Sequence, residues 1–233
     1  MKIAIMQPYF FPYIGYFQLM NAVDKFVVYD NIQYTKKGWI NRNRILVNGT
    51  DEYITVPLKK DSDYLDVRDR YLADTWDNYR GNLINKISGC YRKAPYFTEA
   101  FKIVEQCLIF EDLNLFRFVF NSLMKVKEYL NIKTSLSVSS SIPINHELKG
   151  EEKVIAICVN QSAETYINPI GGMELYSREA FKDQGINLQF LKANPITYPQ
   201  FDGFVPWLSI VDVLMFNSRE EINLHLKNFN LEP

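Results

Sequence analysis

The chain has 233 residues, enough to bury a sizeable core, and its 47% hydrophobic and 23% charged content describes an ordinary folded protein. A formal net charge of −1 gives no electrostatic basis for nucleic-acid binding, and no apolar run approaches the length of a membrane span. Three widely spaced cysteines (Cys90, Cys107, Cys158) argue against a disulfide framework and for a reducing compartment, and two histidines exclude a His-rich metal site.

The elements follow in chain order. Lys2 to Met6 is an apolar strand that breaks at Gln7-Pro8 and runs through Tyr9, Phe10, Phe11, Pro12 and Tyr13 to Gly15. The pattern there becomes helical and returns as a second strand, Lys25 to Tyr29. No basic signal segment precedes the first strand, so a cytoplasmic location is expected. Gly38-Trp39 turns the chain into Ile40 to Val47, Asn48-Gly49 signals a hairpin, and Glu52 to Leu58 alternates. Lys59 to Tyr71 is charged and aperiodic, an exposed loop.

From Asp74 the period is helical. Trp76, Tyr79, Leu83 and Ile87 define a helix capped by Asp74 or Thr75, and Phe97 to Leu108 and Leu113 to Leu130 define two more. Strands (134–138, 165–168, 187–191) then alternate with helices (149–160, 175–183), and a helical pair (208–216, 219–228) closes the chain. Strands separated by single helices predict one α/β domain, Rossmann-like, with a mostly parallel sheet, helices on both faces and a helical insertion over 74–130.

In such a sheet the loops after the first two strands lie together at their carboxyl ends, where ligands bind. Rings in that number on a surface connection suggest closure over a ligand, and a composition with 15 Tyr and 16 Phe suits a sugar or a base. Gln7 can both donate and accept hydrogen bonds. Tyr9 and Tyr16 belong to the same aromatic unit, and Gly15 opens a helix whose N–H groups suit an anion or a tight turn.

Asp30 closes the second strand and is a candidate to bind a ribose, orient an amine or act as general base, or else to pair with Arg42 or Arg44. Gln33, Lys36 and Asn43 add hydrogen-bonding groups. Arg42 and Arg44 are expected to point to opposite faces of a strand, so that one reaches a phosphate or carboxylate. On the other side of the site, Gly171 and Gly172 between Tyr166 and Tyr176 permit close backbone approach, or simply turn strand into helix. Tyr198 and Gln200 are candidates for a pocket wall, and Asp212 for a structural acid. His146 is a candidate base by residue type. Cys107 and Cys158 fit apolar helix faces, which argues against a thiol nucleophile.

Taken in order, QPYFFPYIGYF, FVVYDNIQYTKKGWINRNRI, YINPIGGMELY, YPQF and LSIVDVL resemble the WbqC-like family of bacterial proteins, over nearly the whole chain. The resemblance implies a role in making or decorating an unusual sugar for O-antigen or another surface polysaccharide. The opening strand, loop, glycine-led helix and strand ending in Asp also look like the start of nucleotidylyltransferases and pantothenate synthetases. Those carry His-x-Gly-His where this chain has Tyr13-Ile14-Gly15-Tyr16.

The leading expectation is a transferase adding an acyl or aminoacyl group to the amine of a nucleotide-linked amino sugar, with Asp30 and His146 as the catalytic candidates. No tightly bound cofactor is expected, the acyl donor (a CoA thioester, for example) or ATP being a substrate. The alternatives are an NTP-dependent carboxylate-activating or nucleotidyl-transfer enzyme, and a non-catalytic sugar-nucleotide-binding protein. A homodimer is compatible with the sequence.

Overall fold

A computed structural model describes residues 1–233. The strands are β1 (Lys2–Met6), β2 (Lys25–Val28), β3 (Arg42–Val47), β4 (Thr50–Thr55), β5 (Ser135–Val138), β6 (Thr165–Pro169), β7 (Asn187–Ala193) and β8 (Phe229–Glu232). The helices are α1 (Ile14–Asn21), α2 (Trp76–Tyr91), α3 (Phe97–Leu108), α4 (Leu115–Tyr129), α5 (Gly150–Asn160), α6 (Arg178–Asp183), α7 (Ile210–Phe216) and α8 (Arg219–His225).

The main sheet has six strands in the order β5-β2-β1-β6-β7-β8, and every pair is parallel except β7 with β8. This is a Rossmann-like α/β fold. Alternation along the strands sends side chains into two cores. Ala4, Phe26, Val28 and Ile167 join the larger one with α1, α7 and the helices α2 to α4. Ile3, Ile5, Val27 and Tyr166 join the smaller one with α5 and α6. Helices therefore cover both faces, as strands buried on both sides require.

β1 and β2 pair in register from Ile3–Lys25 to Met6–Val28, and β6 joins the other edge of β1 at Lys2–Thr165 and Ile3–Tyr166. The chain therefore leaves β1 in one direction and later returns on its other side. A crevice opens at such a point because the flanking connections diverge.

β3 and β4 form a separate antiparallel hairpin. Its turn residues Asn48 and Gly49 both have positive φ (49° and 79°), the geometry that matches strand twist and favours Asn-Gly. β8 was not expected, and the α2 cap differs. Thr75 precedes α2 without a side-chain cap, while Asp74 pairs with Lys59 at 2.7 Å. The chain over 170–175 is a 3-10 turn, so α6 starts at Arg178, later than its apolar pattern suggested. No helix is long and apolar enough to cross a membrane.

Asp212 is fully buried and ties the layers together. Tyr91 Oη donates to one of its oxygens (2.8 Å), while Tyr198 Oη (2.7 Å) and Gln200 Nε2 (2.6 Å) donate to the other. Tyr91 in turn accepts the Leu46 N–H at 2.8 Å, so one carboxylate links β3, α2, α7 and the 198–200 loop. Tyr198 and Gln200, expected in a pocket wall, serve this hub. Removing the carboxylate leaves the Tyr91 and Tyr198 hydroxyls without their acceptor, while Gln200 Nε2 keeps a longer contact to Val205 O at 3.3 Å. Asp212→Ala is expected to lower unfolding free energy by about 3 kcal/mol in denaturant titration, and Tyr198→Phe, which leaves that oxygen its Gln200 partner, by about 1 kcal/mol.

Candidate functional site

A cleft of about 830 Å³ lies at the carboxyl ends of β1, β2 and β6. Its walls include Gln7, Tyr9, Tyr29, Asn31, Gln33, Asp66, Arg68, His146, Lys153, Asn168, Gly171, Gly172 and Tyr176. An apolar pocket of about 340 Å³ adjoins it, lined by Tyr13, Gly15, Tyr16, Trp39, Arg44 and Trp207 among others. Met6, Tyr9 and Pro169 line both spaces and so form the partition between them.

The aromatic loop divides its labour. Phe10 and Phe11 are core residues, whereas Tyr9 and Tyr13 face the two spaces. The loop is clamped by Asn43, whose Nδ2 donates to the carbonyls of Phe10 (3.1 Å) and Phe11 (3.0 Å), and by Ser209 Oγ, which donates to Phe11 O at 2.7 Å. Asn43 therefore holds the wall from behind. Phe11 and Trp207 both have positive φ (42° and 61°), unusual for large side chains, and Trp207 places its ring 5.2 Å from that of Tyr13.

The free end of α1 opens on these rings. Gly15 there sits against the Tyr13 ring, so an added Cβ would crowd it, and the space suits a planar ring better than the phosphate that a helix start alone allows. Tyr16 is buried and donates its hydroxyl to Gln7 O at 3.0 Å, fixing the end of β1.

Arg42 and Arg44 do not point to opposite faces. Residues two apart on a strand share a face, and both guanidinium groups lie on the Trp39–Tyr53 stack, Arg42 over Tyr53 (4.5 Å) and Arg44 over Trp39 (5.7 Å). Arg44 also pairs with Asp51 at 2.9 Å, and Arg42 donates to the carbonyls of Gly38 and Lys37. Lys36 pairs with Asp63 (2.7 Å) and Gln33 Nε2 donates to Asp63 O (3.0 Å), both on the rim.

Asp30 is 3% exposed and does not pair with either arginine. Its carboxylate sits within hydrogen-bond distance of Ser139 Oγ (2.7 Å) and accepts from the Ser140 N–H (2.9 Å) and Ser140 Oγ (2.6 Å), in the turn that follows β5. The adjacent Asn31 approaches the same Ser139 Oγ at 2.6 Å with one end of its carboxamide and His146 Nδ1 at 2.9 Å with the other. Asp30 thus stands behind the cleft wall and His146 in it.

Lys153 on α5 is 5% exposed, donates to Asn31 O at 3.3 Å and lies 5.3 Å over the Tyr29 ring. Burial pulls its ammonium below the usual lysine range and pushes the Tyr29 hydroxyl up to about 12. Burial likewise raises the neighbouring Asp66 carboxyl. Lysine among apolar residues is a legible signal: Lys153 is four residues before Ile157 and therefore on the buried face of α5. Asn31, Asp66, Arg68 and Tyr29 carried no comparable mark. The first turn of α5 enters the cleft through Lys149, Gly150 and Glu151, and no side chain caps it.

Across the cleft, Tyr166 is buried and its hydroxyl donates to Asn168 Oδ1 (3.1 Å). Tyr176 packs edge-on to it and reaches the cleft itself. Burial raises the thiols of Cys107 and Cys158 to about 12, far from thiolate chemistry at neutral pH. A Cβ at Gly172 would overlap the Asn168 amide nitrogen, whereas Gly171 faces open space. The close approach that glycine permits there is made by a neighbouring side chain. Gly172→Ala is expected to cost about 1–3 kcal/mol in denaturant titration, and Gly171→Ala much less.

The family model described as "WbqC-like protein family" matches residues 7–224. The chain is 29% identical over 235 residues to the uncharacterized protein Rv1507c of Mycobacterium tuberculosis, an alignment covering 97% of each. No solved structure matches.

Proposed function

The chain belongs to the WbqC-like protein family, and we propose that it is a transferase acting on the amine of a nucleotide-linked amino sugar. The observation that carries this reading is the pairing of two chemically distinct spaces across one partition, Met6, Tyr9 and Pro169. The smaller is walled by Tyr13, Trp39 and Trp207 and fits a flat base. The larger holds three cations, Lys149, Lys153 and Arg68, against two carboxylates, Asp66 and Glu151, together with the uncapped start of α5, whose N–H donors and neighbouring cations suit a diphosphate. A sugar nucleotide has both parts in one molecule.

The chemistry needs a proton acceptor. His146 stands in the larger space, and histidine is the residue type that most often serves as general base. The sugar amine attacks the carbonyl carbon of an activated acyl or aminoacyl donor such as a CoA thioester. The C–N bond forms, the C–S bond breaks, the amine proton passes to His146, and the thiolate takes a proton in return. Asp30, held behind the wall by the serine turn, orients this machinery and does not abstract the proton. Gln7 and Asn168 offer amide groups for sugar hydroxyls.

Thermal-shift titration with UDP- and dTDP-linked amino sugars is expected to raise the melting temperature, and Lys153→Met to remove most of that rise. His146→Ala is expected to keep the shift and lower acyl transfer by about 10²–10⁴-fold. Stabilisation by ATP with none by any sugar nucleotide would instead indicate an NTP-dependent enzyme.

A further inference from the structure

With Asp30 ionised, the contacts around Ser139 contain a contradiction in proton count. Ser139 Oγ lies 2.7 Å from Asp30 Oδ1 and 2.6 Å from Asn31 Oδ1, and it receives the Asp30 backbone N–H at 3.2 Å. Both short contacts join oxygen to oxygen, and each needs a hydrogen between them. A serine hydroxyl has one hydrogen. Neither the carboxylate nor the carboxamide oxygen supplies a second, so one of the two contacts would set lone pair against lone pair.

A half-turn of the Asn31 carboxamide about its last torsion removes the conflict, because its two ends are nearly alike in shape. Asn31 Nδ2 then donates to Ser139 Oγ, and the single Ser139 hydrogen goes to Asp30. Ser139 Oγ accepts two N–H groups, from Asp30 and Asn31, and donates once, which uses its whole capacity. The same half-turn places the Asn31 carbonyl oxygen against His146 Nδ1, at the 2.9 Å now spanned by the other end. An acceptor in that position requires a hydrogen on Nδ1.

We infer that Asn31, anchored through Ser139 to the Asp30 carboxylate, is a positioning residue that holds neutral His146 in the Nδ1–H tautomer, leaving the Nε2 lone pair for the cleft. His146 makes no other hydrogen bond within the protein. The chain of contacts runs from a buried carboxylate (Asp30, 3% exposed) through a buried hydroxyl (Ser139, 0%) and a buried amide (Asn31, 7%) to an exposed imidazole. An imidazole so held takes a proton on Nε2 without first changing tautomer, and its cation keeps a hydrogen bond to the amide oxygen. The charged groups of the cleft, Lys149, Lys153, Arg68, Glu151 and Asp66, share the space with this ring and set its electrostatic surroundings. The use of the lone pair in catalysis rests on the transferase reading, while the tautomer itself does not.

The test is nitrogen-15 NMR of histidine-labelled protein at a pH where the ring is neutral. The chain has only two histidines, so the signals of His146 are assigned by comparison with a His225→Gln variant. The expected result is a protonated, pyrrole-type Nδ1 and a pyridine-type Nε2 for His146. In Asn31→Ala the ring is expected to move to the Nε2–H form, and in Ser139→Ala to a mixture, since the carboxamide loses its anchor. A predominant Nε2–H form in the unmodified protein overturns the inference, whether or not the variants fold, and so does an unchanged tautomer in a folded Asn31→Ala. An Nδ1–H tautomer without transferase activity on any amino sugar would leave the relay standing and remove the proposed function.

Discussion

The structure depends on β1 being paired on both edges. Its four-pair ladder with β2 and its shorter ladder with β6 place the ends of three strands side by side, and everything that forms the site leaves from those ends. Gln7 and Tyr9 follow β1, Asn31 and Gln33 follow the second strand, and Gly171 and Tyr176 follow β6. Because the chain diverges on either side of β1, helices cannot close over this point, and the crevice is a consequence of the topology. A strand that reads simply as Ile3-Ala4-Ile5 thereby sets the position of every group in the cleft.

The two spaces differ because of what packs behind them. Behind the apolar one are β3 and the start of α7, which hold the aromatic loop through Asn43 and Ser209 and leave rings facing outward. Behind the polar one is the turn after β5, whose serines satisfy the buried Asp30 carboxylate. A buried carboxylate without such donors would be costly. The same turn orders Asn31, whose backbone oxygen accepts from Lys153 and whose side chain meets His146. Groups of opposite tendency, a buried acid and a buried base, are thus kept apart by one well-bonded asparagine.

Much of the fold was legible from periodicity. Lys2–Met6, Phe97–Leu108 and the Asn48-Gly49 hairpin correspond closely to β1, α3 and the turn between β3 and β4. β8 was not legible because four residues after a helix carry too little pattern, and its pairing with Phe190–Ala193 is entirely long-range. In the site, Gln7, Tyr9, Gln33, Gly171, Gly172 and Tyr176 are brought to the cleft as their positions after strands suggested, and His146, singled out by residue type alone, lies there too. Tyr198, Gln200, Asn43 and Arg42 instead spend their polar groups on the protein itself, which residue type cannot reveal. Lys153 could have been found, since a lysine on the buried face of a helix is rarely placed there without use.

The central claim is that one sugar nucleotide occupies both spaces across the Tyr9 partition. A crystal structure with a nucleotide-linked amino sugar bound tests it most directly. The account predicts the base between Tyr13, Trp39 and Trp207, the diphosphate beside Lys153 and Arg68, and the sugar amine within about 3.2 Å of His146 Nε2. A sugar nucleotide bound outside this cleft, or bound with its amine turned away from His146, would contradict it.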